Sequence, residues 1–271
     1  MINYTDRLTT LMADVVRRVD ALSGIDMSSL LVFARFGRTG AEGAYATCHS
    51  LNMPTSEPGY YFWRDRRTGR VTRRSEWFVT KTPEVSLGGN RIDYLLSFSL
   101  PRFCDQTLAG SRKIVHYPNA DPWLAKLDTV VHELYHIDPH ETGIRRLERQ
   151  DGRASSRCHS PEFFENVARF VHQYLASRPD PAVYDFLRHD FALLTKMCGG
   201  VVGATFRNFP SFPQRYPESI RRQPDTPASV NIVPLKRANQ PARYTERDLC
   251  VRQFSPTGCR RLTCTGRHRA A

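Results

Sequence analysis

The chain has 271 residues, 40% of them hydrophobic, which is enough for one sizeable core and an appendage. No uninterrupted apolar stretch reaches membrane-spanning length, so no membrane partner is expected. The formal net charge is +12, and +9 of it falls in residues 201–271, which also hold 8 of the 18 prolines; that composition argues against a second packed core there.

Asp6, Arg7, Asp14, Arg17 and Arg18 break up the N-terminal apolar residues, so no signal peptide is expected. Seven cysteines, an odd count without paired spacing through the body, fit reduced thiols in a cytoplasmic protein. The first predicted element is an amphipathic helix over 5–22, carried by Leu8, Leu11, Met12, Val15, Val16, Val19 and Leu22, with Gly24 past its end. Strand-like runs follow at Leu30–Phe36, Ala44–Leu51, Tyr60–Arg64, Glu76–Thr80, Ile92–Ser99 and Ile114–Tyr117, separated by turn signals such as Gly37-Arg38-Thr39-Gly40. Ile92–Ser99 or Ile114–Tyr117 would supply an exposed edge able to hold an extended peptide by main-chain hydrogen bonds.

Asp121-Pro122 opens a helix predicted over 122–137. It contains His132-Glu133-Leu134-Tyr135-His136, an HExxH sequence. At 3.6 residues per turn the two histidines share one helix face, where their imidazoles can grip one zinc ion, and Glu133 emerges beside them. Zinc polarises a carbonyl and acidifies water, while the glutamate takes up a proton and later returns it to the leaving amine, so the signal is that of a metallopeptidase. The plainer alternative is an amphipathic helix whose histidines cap a core edge.

A third ligand is required. Thr142 stands where the metzincin arrangement puts its histidine, which excludes that class. The best candidate is His159, just ahead of a second helix start, Ser160-Pro161, and a helix predicted over 161–177. Glu162, Glu165 and His140 compete for the role, although the two glutamates also suit the first turn of a helix. Asp128 and Asp138 are either acceptors for a ligand imidazole or solvated helix carboxylates. For the oxyanion donor Tyr135, Tyr174 and His172 are all open. A last helix is predicted over 181–197.

The VHELYH helix, a spacer, and the run HSPEFF from His159 to Phe164 resemble the SprT-type metallopeptidases, including the Spartan and YgjP-like groups and their phage relatives. The resemblance covers roughly residues 90–177. It implies one catalytic zinc on His132, His136 and His159, Glu133 as the catalytic residue and Phe163 as a packing residue. It further implies an α+β, zincin-like fold: a small antiparallel sheet packed on helices that include the HExxH helix. Its substrates would be proteins bound or crosslinked to DNA.

The expected organisation is a metallopeptidase domain over 1–200, a Pro-rich basic linker over 201–245 and a basic Cys/His tail over 246–271. In that tail Cys250, Cys259, Cys264 and His268 are separated by eight, four and three residues and resemble a CCCH zinc finger, which would hold a second, structural zinc. The alternative is a basic tail with incidental thiols. In both cases Arg252, Arg260, Arg261, Arg267 and Arg269 would draw the tail to DNA or RNA phosphates and so to the nucleoid, unless they merely solubilise it. Three functions follow: a zinc endopeptidase acting on protein or peptide, a regulatory peptidase that cleaves a repressor, and a non-catalytic zinc or nucleic-acid-binding protein.

Overall fold

The computed structural model describes residues 1–51, 79–81, 84–109, 111–138, 144–145, 147–148, 154–155, 159–207, 214–216 and 243–262. The first strands in chain order are β1 (Ile2–Asn3), β2 (Leu30–Gly37), β3 (Ala46–Ser50), β4 (Val79–Lys81), β5 (Glu84–Leu87), β6 (Asn90–Ile92) and β7 (Tyr94–Pro101). They are followed by β8 (Leu147–Glu148), β9 (Ala154–Ser155), β10 (Val201–Phe206), β11 (Gln214–Tyr216), β12 (Arg243–Tyr244), β13 (Leu249–Ser255) and β14 (Gly258–Arg261). The helices are α1 (Tyr4–Arg18), α2 (Leu124–Tyr135), α3 (Pro161–Ala176), the single turn α4 (Pro181–Tyr184) and α5 (Phe191–Cys198). The architecture is mixed α and β with small sheets. Among the described residues, no helix is long and apolar enough to cross a membrane.

Tyr4, Leu8, Leu11, Met12 and Val15 recur at three- and four-residue steps, so α1 buries them all on one face. The helix expected over 5–22 ends early, at Arg18; Val19 turns extended and Asp20–Leu22 continues as a 3-10 turn. Asp14 is buried on the same helix, where the Tyr174 hydroxyl of α3 donates to it at 2.9 Å and Arg18 Nε at 2.9 Å. Burial pushes this carboxyl up, but hydrogen bonds from Arg17, Arg18 and Tyr174 outweigh it and hold the group below its ordinary value. This network locks α1 against α3.

In the central sheet β7 lies between β2, which runs parallel to it, and β3, which runs antiparallel. All eight residues of β7 are buried, so its sequence is mostly apolar, with Ser97 and Ser99 as its buried polar residues. One face of the sheet, carrying Val32, Ala34, Leu96, Phe98 and Cys48, packs into the core with α1 and α2. The opposite face carries Phe33, Arg35, Thr47 and His49, following the alternation of side chains along each strand. A second sheet, in the order β1-β10-β13-β14, approaches β2 closely. Gly203 of β10 serves that approach, because a Cβ there would stand 3.1 Å from the Cβ of Ala34.

The edge of the central sheet differs from expectation. β7 is its middle strand, so Ile92–Ser99 is no edge, and among the described residues β3 is an outer strand. Tyr45 accepts from the Ser99 N–H at 2.8 Å and Leu51 donates to Asp93 at 2.7 Å, so the odd-numbered residues face β7. The backbone groups of Ala46 and Cys48 therefore turn the other way. The second expected edge, Ile114–Tyr117, is not a strand: Arg112–His116 is a 3-10 turn, capped by the Ser111 side chain. Tertiary contacts override the β-branched pair there, because Lys113 forms an ion pair with buried Asp128 at 2.6 Å and draws the segment onto α2. Ile114 and Val115 are left 50% and 73% exposed.

The predicted helix 181–197 is broken. Asp190 accepts from the Leu193 N–H and starts α5 afresh, and Gly199 ends it in the left-handed region. The expected boundary at residue 200 also needs correction. Val201–Phe206 is not linker but the strand β10, paired over its whole length with β13, and β13 pairs with β14. Phe254 of β13 lies in the core, so the supposed tail completes the main body. Of the expected strand Glu76–Thr80, Val79 and Thr80 pair with β11, while residues 76–78, Tyr60–Arg64 and most of the 201–245 segment lie outside the described residues.

Candidate metal centre

The last turn of α2 carries His132 and Glu133, and His136 caps its C-terminus with the His136 N–H donating to the His132 carbonyl at 3.3 Å. Arg145 satisfies carbonyls that the helix end leaves open: its backbone N–H donates to His136 at 2.7 Å and its Nε to Tyr135 at 2.8 Å. Its guanidinium also pairs with Asp138 at 3.1 Å and lies over the Tyr135 ring. His159 arrives from the opposite side, one residue before Ser160, whose hydroxyl caps α3 by accepting from the Phe163 N–H. α2 packs directly on α3, so two rigid elements present the three rings.

The three imidazoles converge. His132 Nε2 and His136 Nε2 are 3.2 Å apart, and His136 Nε2 and His159 Nε2 are 3.1 Å apart. One ligand nitrogen from each ring falls within 4.8 Å of the others, a set that could hold a metal ion. Phe163, 1% exposed, forms the floor, its ring centroid 4.8, 5.1 and 4.9 Å from those of His132, His136 and His159. Burial lowers the proton affinity of all three rings, and His136 falls to about 4, helped by His159 and Arg145. Neutral imidazoles expose lone pairs, and lone pairs aimed at a common point repel unless a cation lies among them. A four-coordinate ion with nitrogen ligands at about 2.0–2.1 Å sets its donors about 3.3 Å apart, close to both separations. The other nitrogen of His132, Nδ1, is buried without a hydrogen-bond partner among the described residues, which leaves Nε2 as the working end of that ring. The donor set therefore fits a zinc-like ion.

Glu133 is 6% exposed, and burial pushes its carboxyl up to about 7. The Cys48 backbone N–H, with the charges of Lys113 and Arg35, offsets part of that rise. The Cys48 N–H sets the carboxylate against the outward edge of β3, and Glu133 is the neighbour of His132 in the last turn of α2.

The other sequence candidates fall elsewhere. Glu162 and Glu165 are exposed on α3 and outside the imidazole set, and His140 lies outside the described residues. Asp128 is neither solvated nor turned to a histidine: it is buried with Lys113 and accepts from the Tyr117 hydroxyl at 2.8 Å. Tyr174 is committed to Asp14, His172 Nε2 lies 3.4 Å from the His116 carbonyl, and the Tyr135 hydroxyl accepts from Asn166. Sequence reasoning missed Cys48, Lys113 and Arg35. Only Arg35 left a signal, as a charge inside the apolar strand LLVFARF.

At the C-terminus, Cys259 pairs in register with Phe254, four residues along β13 from Cys250, which puts the two cysteine Cα atoms about 13 Å apart. Cys250 Sγ contacts the Thr205 hydroxyl, and Cys259 Sγ accepts from Arg252 at 3.8 Å. The expected four-ligand cluster is therefore not gathered among the described residues, and Cys264, His268, Arg267 and Arg269 lie outside them. The arginines do not form one surface stripe either. Arg252 opposes Arg261, while Arg260 lies on the other face and donates to Gln253 at 2.9 Å. No family model matches the chain, and neither does any curated protein or solved structure.

Proposed function

We propose that this chain is a zinc-dependent metalloendopeptidase of the SprT type on a zincin-like fold, cleaving peptide bonds with Glu133 as general base and then general acid. The observation that carries the reading is the convergence of three neutral imidazole nitrogens beside a buried carboxylate at a sheet edge. Bound zinc would supply a Lewis acid that polarises a carbonyl oxygen and lowers the pKa of water. His132, His136 and His159 would hold it through Nε2, and three protein ligands are the number that leaves a tetrahedral ion one position for substrate.

Glu133 is suited to move a proton in both directions. Near 7, its carboxylate accepts a proton and returns it at neutral pH with little driving force lost either way. The Cys48 N–H fixes the carboxylate while it does so. Next to Cys48, the outward backbone groups of Ala46 on β3 suit an added peptide strand, which would hold the scissile bond near Glu133. A quenched-fluorescent peptide assay tests the reading. Hydrolysis is expected to disappear after chelation and to return with one equivalent of zinc, and hydrolysis that survives full metal removal would overturn the proposal.

A further inference from the structure

On the face of the central sheet turned away from α2, β2 and β3 meet β10, β13 and β14 around a cavity of about 530 Å³. Arg35 from β2 and Arg252 from β13 both line it, between aromatic walls that include Phe33 and Phe206. Among the described lining residues there is no Asp or Glu. The Nε of each arginine is buried with no hydrogen-bond partner among the described residues. Arg35 Nη2 makes two long contacts, donating to the Ala44 carbonyl at 3.3 Å and to the Thr47 hydroxyl at 3.4 Å, while Arg252 is held by the thiols of Cys250 and of Cys259, the latter at 3.8 Å from Nη1, and these raise its guanidinium above the ordinary value. Burial, and then the nearby Arg102, lower the Arg35 guanidinium from its ordinary value, and Glu133 offsets only part of this. A guanidinium that keeps a buried, unpartnered Nε against aromatic walls is costly unless an anion takes up that donor, and each of the two arginines keeps one.

We infer that this cavity is a subsite for an acidic side chain of the peptide substrate, an inference that rests on the peptidase reading above. An extended peptide paired to the β3 edge alternates its side chains between the two faces of the sheet. One set turns toward α2 and the imidazoles. The other falls over Thr47 and His49, which line the same cavity as Arg35. A carboxylate placed there accepts from both guanidinium groups, while its methylenes lie against the aromatic walls. Continuity with the β3 edge favours a peptide side chain over a nucleic-acid phosphate as the occupant.

The test uses full-length, zinc-loaded protein and fluorogenic peptide pairs that differ only by Glu or Gln at successive positions flanking the cleaved bond. At one position the Glu peptide is expected to show a kcat/KM about tenfold or more above its Gln twin. Arg252→Gln should bring that ratio toward one, and Arg252→Glu should shift the preference to a Lys twin; ratios within one protein are insensitive to partial unfolding. Ratios near one at every position, or ratios unmoved by both substitutions, overturn the subsite and leave the peptidase reading standing. If wild-type protein cleaves no peptide, the peptidase reading fails and the subsite is judged by binding of the labelled peptides to Glu133→Gln protein. A Glu preference there that Arg252→Gln abolishes supports it. Equal binding, no binding, or single-stranded DNA bound through Arg252 without any Glu preference overturns it.

Discussion

Glu133→Gln is expected to keep the fold and the metal while lowering peptide hydrolysis by at least about a hundredfold, the span over which a positioned acid–base group acts. The amide nearly matches the carboxylate in shape, and its oxygen can still accept from the Cys48 N–H. What it cannot do is take up a proton. Stability should not suffer, because burial has made the ionised carboxylate the costly form. A folded pKa near 7, above the ordinary 4.5, means that stability falls as pH rises through that interval in the wild type and not in the variant. Turnover of a peptide substrate, read beside zinc content and the thermal midpoint, separates these effects. Wild-type turnover in a folded, zinc-loaded variant would remove Glu133 from the mechanism.

Deleting residues 245–271 is expected to abolish cooperative folding, whereas a detachable basic tail would be lost without consequence. The deletion strips β13 from all six residues of β10, removes β14, and takes Phe254 out of the core. Phe254→Ala alone should cost about 3–5 kcal/mol, as truncation of a buried phenylalanine commonly does. Ending the chain after Leu262 removes none of the paired strand residues and should leave the thermal transition in place. Melting curves of the two truncations make the comparison, and a 1–244 fragment that melts like the full chain would show that the second sheet does not depend on β13.

The site was legible where its chemistry is local. His132, Glu133 and His136 follow from helical periodicity, and His159 from its place before the Ser160-Pro161 helix start. Phe163, singled out as a packing residue, is the floor under all three rings. The sequence was silent where partners are distant along the chain. Cys48 lies far before Glu133 and meets it only because β3 closes the sheet beside α2. The ion pair of Lys113 with buried Asp128, together with the Ser111 cap, turned a β-branched segment into a 3-10 turn. The C-terminal strands were hidden by averaging: basic and proline-rich composition across 201–271 masked the apolar Val201–Phe206, which needs Leu249–Ser255 to become a paired strand. The same averaging made Arg252 read as part of a phosphate-binding tail, although it points into a cavity between the sheets.

Zinc titration of wild-type and His159→Ala protein tests the metal centre most directly. The wild type should bind one zinc per chain, and His159→Ala should bind it at least about a hundredfold more weakly, since loss of even an outer-shell partner costs ten- to a hundredfold. A wild-type chain that takes up no zinc, or a His159→Ala chain that holds it as tightly as wild type, would contradict the account.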